Sequence, residues 1–186
     1  MFKVILGLAF VSHAGFPASF SLETATGNIE FLAVGRPSAI KIRGMAPQMG
    51  NGQNSVSGIL RASGPNLAGK VKLKLSALDT GIELRNHHMK EKYLEVEKFP
   101  EAELTIPSIE IGKKDEVPWE GELSLHGKKK PVKGTATVDQ KEKTLGLSVS
   151  FDLKVTDFDI PVPSYLGIKV TDNVKVSANV AGPILP

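Results

Sequence analysis

The chain of 186 residues contains no cysteine. That excludes a disulfide framework, a thiolate metal site and a cysteine nucleophile. It also excludes a lipid-modified N-terminus, which needs a cysteine directly after the leader. No run reaches the ~18 apolar residues expected of a membrane-spanning helix. Charge of one sign is never in large excess: the formal net charge is +3 and the pI about 9.0. With most lysines balanced by nearby glutamates, that is too weak a field to indicate a nucleic-acid partner. Also missing are a Gly-x-Ser-x-Gly elbow, a phosphate loop, a dinucleotide fingerprint and His-Glu-x-x-His. An enzyme is therefore left without a motif, and no cofactor is implied.

What is present is strand and turn. Eighteen glycines, twelve prolines and repeated Val, Leu and Ile suit many short strands in one domain. From Gly69 to Ala77, Val71, Leu73, Leu75 and Ala77 share one face, with Lys70, Lys72, Lys74 and Ser76 on the other. From Leu145 to Val155, Leu145, Leu147, Val149, Phe151, Leu153 and Val155 oppose Gly146, Ser148, Ser150, Asp152 and Lys154. Shorter strands are expected from Asn28 to Ala33, at Ile40–Ile42 and Val56–Leu60, and around 104–111, 119–125, 132–138, 168–170 and 174–180. The stretch 45–54, rich in Gly, Pro, Asn and Gln, reads as a loop without a core role. Connections this short suit antiparallel pairing, in a sandwich or a barrel. A barrel of about eight strands removes free edges and has room for one small ligand. A membrane barrel would turn Lys70, Lys72 and Lys74 into its lumen on strands too short to span, so the lysines are placed outward.

One segment breaks the alternation. Between Asp79 and Leu104, residues Ile82, Met89, Tyr93 and Val96 recur at helical spacing. Thr80 and Glu83 have the spacing of a capping box, and Phe99-Pro100 ends the helix, which is expected over about 80–97. At the N-terminus, Met1-Phe2-Lys3, an apolar Val4–Val11 and Ser12-His13-Ala14 have the form of a signal peptide over 1–19. Cleavage is expected after Ala14 or after Ser19, leaving a single domain to residue 186. The competing reading of this segment is a first β-strand at Val4-Ile5-Leu6.

Candidate chemistry is sparse. Adjacent His87 and His88 diverge on a helix, and His87 with Glu91 has ligand spacing but reads as a solvated face, so no metal is assigned. Arg85 is read first as an ion-pairing residue and second as a guanidinium beside a lipid head group. His126-Gly127-Lys128-Lys129-Lys130-Pro131 reads as a turn with solvated lysines. Three cations fall short of the four to eight typical of head-group patches. Asp157 and Asp159 alternate at a strand end with no histidine tied to them.

Thr80-Gly81, Arg85-Asn86-His87-His88-Met89, Tyr93-Leu94 and Phe99-Pro100-Glu101-Ala102 resemble the central signature of the YceI-like family of extracytoplasmic bacterial proteins. Gly121–Gly127 with Pro131-Val132, Asp157–Ile160 and Val170–Val176 are similar to its later blocks. Asn86 stands where the family commonly has Asp, and Asp159 where it commonly has Gly. The resemblance implies a lipocalin-like antiparallel barrel, a periplasmic or secreted location, and a bound polyisoprenoid or other long-chain lipid. On that expectation Val71, Leu73, Leu75, Leu147, Val149, Phe151 and Leu153 contact the lipid, with Arg85, His88 and Tyr93 at its head group or the mouth. The same stripes would serve a filled barrel acting through protein contacts. An enzyme would need Arg85 and His88 to converge in a cleft. Oligomeric state is not legible.

Overall fold

A strand turns every second side chain to one face, and a sheet that closes on itself buries that face on all sides. The computed structural model describes residues 19–21, 25–36, 40–48, 54–111, 115–141, 143–165 and 168–185. The expected leader, apart from Ser19, lies outside them. Among the described residues twelve strands occur: β1 (Ser19–Ser21), β2 (Thr26–Arg36), β3 (Ile40–Gln48), β4 (Val56–Ser63), β5 (Asn66–Lys74), β6 (Glu101–Glu110), β7 (Val117–Leu125), β8 (Lys128–Lys141), β9 (Thr144–Lys154), β10 (Ser164–Tyr165), β11 (Ile168–Val170) and β12 (Asn173–Leu185).

Strands β4 to β9 pair antiparallel in chain order, and β12 adds to β9. Short β1 then closes the ring, pairing Ser19 with Leu185 on one side and Phe20 with Leu60 on the other. The result is an eight-stranded antiparallel barrel, the one of the two architectures open to the alternation that the family resemblance implies. Beyond β1, β2 continues along β12 and carries β3 on its other edge, with β11 and then β10 at its far end.

Five expectations need correction. β3 extends through Met45–Gln48, with Ala46 fully buried, where a loop was expected. Pro47 is tolerated there because β3 is an edge strand, paired with β2 on one side and bridged on the other only at Met45 by Asp79 among the described residues. Leu75–Ala77 leaves β5 as a 3-10 turn, although Leu75 stays inside. Asp157 and Asp159 do not alternate on a strand end: Asp157 lies in the 3-10 turn Val155–Phe158, and Asp159 follows it with φ 56°. The helical segment is also shorter than expected. Helix α1 (Glu83–His87) passes directly into a π-helical turn, His88–Tyr93.

The capping box at Thr80 and Glu83 does not form. Instead the Asp79 carboxylate accepts from the Gly81 N–H (2.8 Å) and the Asn86 amide (2.6 Å), while Asn86 Oδ1 accepts from the Thr80 N–H and hydroxyl, both at 2.8 Å. Asn86 must donate to one group and accept from another. An aspartate there could only accept, and would face Asp79 with like charge. The departure from the family pattern thus has a local cause.

The interior is packed unequally. At the β1 end Phe20, Leu60, Leu67, Ile109 and Val138 are all at most 2% exposed. Trp119 meets Phe151 edge to face at 5.8 Å, and its indole N–H donates to the Thr135 carbonyl at 3.0 Å. Towards the helical segment this filling stops.

Candidate ligand cavity and its mouth

The space left by the filled end is a cavity of about 550 Å³, within the range of small-molecule sites. Its wall takes the inward residues of nearly every long strand. All seven stripe residues, Val71, Leu73, Leu75, Leu147, Val149, Phe151 and Leu153, line it. Ile29, Phe31 and Ala33 of β2 and Val174, Val176, Ala178 and Val180 of β12 join them. The last set went unnamed in the sequence, although its period-two signal is just as regular. The Phe31 ring lies against Gly44 of β3, where any Cβ would collide with it.

Among the described residues polar lining is confined to one region: Thr80, Arg85, His88 and Tyr93 from the helical segment, and Ser164 and Thr171 from the β9–β12 connection. Most of these serve the fold. Tyr93 Oη donates to the Ser164 carbonyl at 3.3 Å and accepts the Ser164 N–H at 3.2 Å, which ties the π turn to β10. Thr171 Oγ1 donates to the Asn173 carbonyl at 3.1 Å. Arg85 differs. It is half-buried against the cavity, and its side chain makes no ion pair or hydrogen bond among the described residues. No described residue gives Arg85 the ion-pairing role first expected for it. His87 instead takes the nearby acid, its Nδ1 lying 2.9 Å from Glu91 Oε1 on an exposed face. Among the described residues no cluster of ligating side chains could hold a metal.

A second cluster holds the helical segment in place, and the sequence did not single it out. His126 is 10% exposed, with Nε2 2.8 Å from Glu95 Oε2 and Nδ1 3.0 Å from the Phe158 carbonyl. Both ring nitrogens thus have a partner, which fixes the orientation of the imidazole. Its ring packs on Phe99 with centroids 4.4 Å apart. Among the described residues Glu95, His126 and Asp159 are the non-glycine ones with positive φ, at 45°, 51° and 56°, and all belong to this cluster. Asp159 pairs with Lys128 at 2.8 Å. That bond holds the carboxylate below, and the ammonium above, their ordinary pKa values. Aspartate tolerates the left-handed region, which accounts for an acid where the family commonly has glycine.

A barrel with an apolar hollow, a helical segment across one end and blocks of sequence in fixed order is a specific combination. A family model for the YceI-like domain matches residues 12–181. The chain belongs to the YceI-like family. Solved YceI-like structures have the same fold. BcnA of Burkholderia cenocepacia superposes with a TM-score of 0.69 at 15% identity, covering 87% of this chain and 98% of that one. A polyisoprenoid binding domain from Saccharophagus degradans, implicated in plant cell wall breakdown, gives 0.67 at 13%, covering 87% and 99%. The YceI protein of Campylobacter jejuni gives 0.50 at 18%, covering 67% and 80%. At these identities the likeness concerns the fold. Comparison with curated proteins gives no match.

Proposed function

We propose that this YceI-like protein is an extracytoplasmic carrier that holds the chain of a polyisoprenoid or other long-chain lipid in its barrel. The observation that carries the reading is the cavity: apolar along its walls, polar only beside the helical segment, and large enough for a ligand. Burying about 400 Å² of hydrocarbon at ~25 cal/mol/Å² is worth roughly 10 kcal/mol before the costs of association. Such binding needs no array of polar contacts. The seven stripe residues are assigned to the chain, and Arg85, His88 and Tyr93 to its polar end. Arg85 is assigned to an anionic head group such as a phosphate, because its guanidinium otherwise faces an apolar space without a counter-charge.

A solid core acting through protein contacts predicts no ligand-sized cavity, which disfavours that alternative. For an enzyme, Arg85 and His88 do line the same cavity, but among the described residues that line it there is no Asp or Glu to share acid–base work with them. Export rests on the leader-like residues 1–14. Of the two expected cleavage points, the one after Ala14 leaves β1 whole, so the mature chain should begin at Gly15.

Native mass spectrometry of protein purified from the exported fraction, followed by organic extraction, tests the reading. A long-chain species released on denaturation supports it. A clean apo mass with no uptake of added isoprenoid or fatty acid overturns it.

A further inference from the structure

The mouth of the cavity carries apolar side chains that the fold leaves in water. Ile40, Ile82 and Leu84 all line the mouth and are 45%, 49% and 52% exposed. Met45, 48% exposed, is tied to the same corner by the backbone pair it makes with Asp79. An apolar cluster exposed around a pocket opening marks a contact surface.

The charge beside it is unusual within this molecule. On β5–β6 and β7–β8, outward lysines meet glutamates across the ladder: Lys70 with Glu103 at 2.7 Å, Lys133 with Glu120 at 2.6 Å and Lys72 with Glu101 at 3.4 Å. On β3, Ile40 and Ile42 turn into the cavity, so Lys41 and Arg43 point out. Their register partners on β2 are Val34 and Leu32. Arg36, at the end of that same face, stands opposite Lys169 of β11. Like charges directly across a ladder are destabilising. None of these four exposed cations has an ion pair among the described residues. Glu30, on the same face of β2, is engaged by the Asn28 amide at 2.6 Å. The exposed Glu83 between Ile82 and Leu84 has to stay at the water side of any contact.

We propose that this corner docks on an anionic lipid bilayer. Ile40, Ile82 and Leu84 enter the boundary between head groups and chains, and Arg36, Lys41, Arg43 and Lys169 lie on the phosphates. An apolar rim with basic flanks is the pattern of interfacial binding, and four cations reach the number typical of head-group patches. The proposal rests on the carrier reading and deepens it. With the mouth seated on the membrane, a long chain passes between bilayer and barrel without crossing water.

The test is flotation of the mature protein with vesicles of phosphatidylcholine alone, and of phosphatidylcholine with phosphatidylglycerol, at low and high salt. Binding to the anionic vesicles, weakened by salt, is expected. Lys41→Glu with Arg43→Glu should lower it by about tenfold or more, and Ile82→Asp with Leu84→Asp should lower it comparably. Circular dichroism checks that these surface variants fold. Equal partition onto both vesicle types, or binding unchanged in both double variants, overturns the proposal. So does sedimentation velocity showing a dimer that the Ile82/Leu84 variant dissociates, which would give the rim to a second copy. Lipid unloading only to a protein acceptor, without vesicle binding, overturns it too. Native mass spectrometry on the same preparation separates the two readings. A lipid-loaded protein that ignores vesicles refutes docking and leaves the carrier. A protein that takes up no lipid yet binds anionic vesicles refutes the carrier and leaves docking.

Discussion

Arg85 brings a permanent charge to the edge of an apolar space, and no carboxylate among the described residues answers it. Replacing it by glutamine keeps the length and removes the charge. Arg85→Gln should fold and melt close to the parent, because no native bond is lost. Its affinity for a phosphorylated isoprenoid should fall about 10- to 100-fold, the worth of a charge-assisted hydrogen bond, while a neutral chain of equal length binds nearly as before. Fluorescence displacement with the two ligands distinguishes the outcomes. His126 has the opposite character: its bonds are to the protein itself, one to a side chain and one to a backbone carbonyl. His126→Ala leaves the Phe158 carbonyl and Glu95 without their ring partner, and the Phe99 ring without its neighbour. Urea titration should show a loss of about 2–3 kcal/mol.

The helical segment is an element whose anchors lie at both ends. At its exit, the His126 cluster fixes Glu95 and Phe99, and Gly127 at φ 74° lets the Phe99 ring lie against the turn. At its entry, Asp79 exchanges backbone hydrogen bonds with Met45 of β3, both at 2.8 Å. The Asp79 carboxyl is held below the usual carboxylate range, first by the Gly81 N–H and then by the Asn86 amide. A group whose folded pKa is lowered stabilises the fold above its unfolded value. That contribution is lost as pH falls through the folded value. Acid should therefore loosen the entry of the helix, and Asp79→Asn should flatten the acid limb of a plot of melting temperature against pH. An acid limb unchanged in Asp79→Asn would show that other carboxylates set it. The π turn widens the helix at His88–Tyr93, where His88, Met89 and Tyr93 all line the cavity. Such turns recur at functional sites.

Across the whole molecule, the barrel divides into an end that holds the fold and an end that holds space. Leu60 is fully buried in the filled end and lies outside the cavity. Leu60→Ala should cost about 2–5 kcal/mol of stability, yet leave lipid uptake intact in the protein that remains folded. Leu73→Lys should do the reverse. Its side chain borders the hollow, so the barrel has room for it, but an ammonium in the cavity opposes a hydrocarbon chain. Paired thermal melts and lipid-uptake assays on the two variants check this separation. Unchanged uptake by folded Leu73→Lys would remove β5 from the proposed lining.

Much of this was legible because period-two alternation is a local property. The stripes at Val71–Leu75 and Leu147–Leu153 name their inward faces wherever the strands end up, and the break at Asp79–Leu104 marks the helical segment in the same way. Three features needed the tertiary structure. A core stripe reads alike whether the barrel is solid or hollow, and only the placement of Phe20, Leu60, Leu67 and Trp119 at one end leaves the other empty. The His126 cluster joins residues 31 and 32 positions apart, a separation that no local period encodes. The basic face is assembled by register from β2, β3 and β11, bringing Arg36 opposite Lys169 across more than a hundred residues of chain. Local spacing determines which way a side chain points along its strand; closure of the sheet determines what it points at.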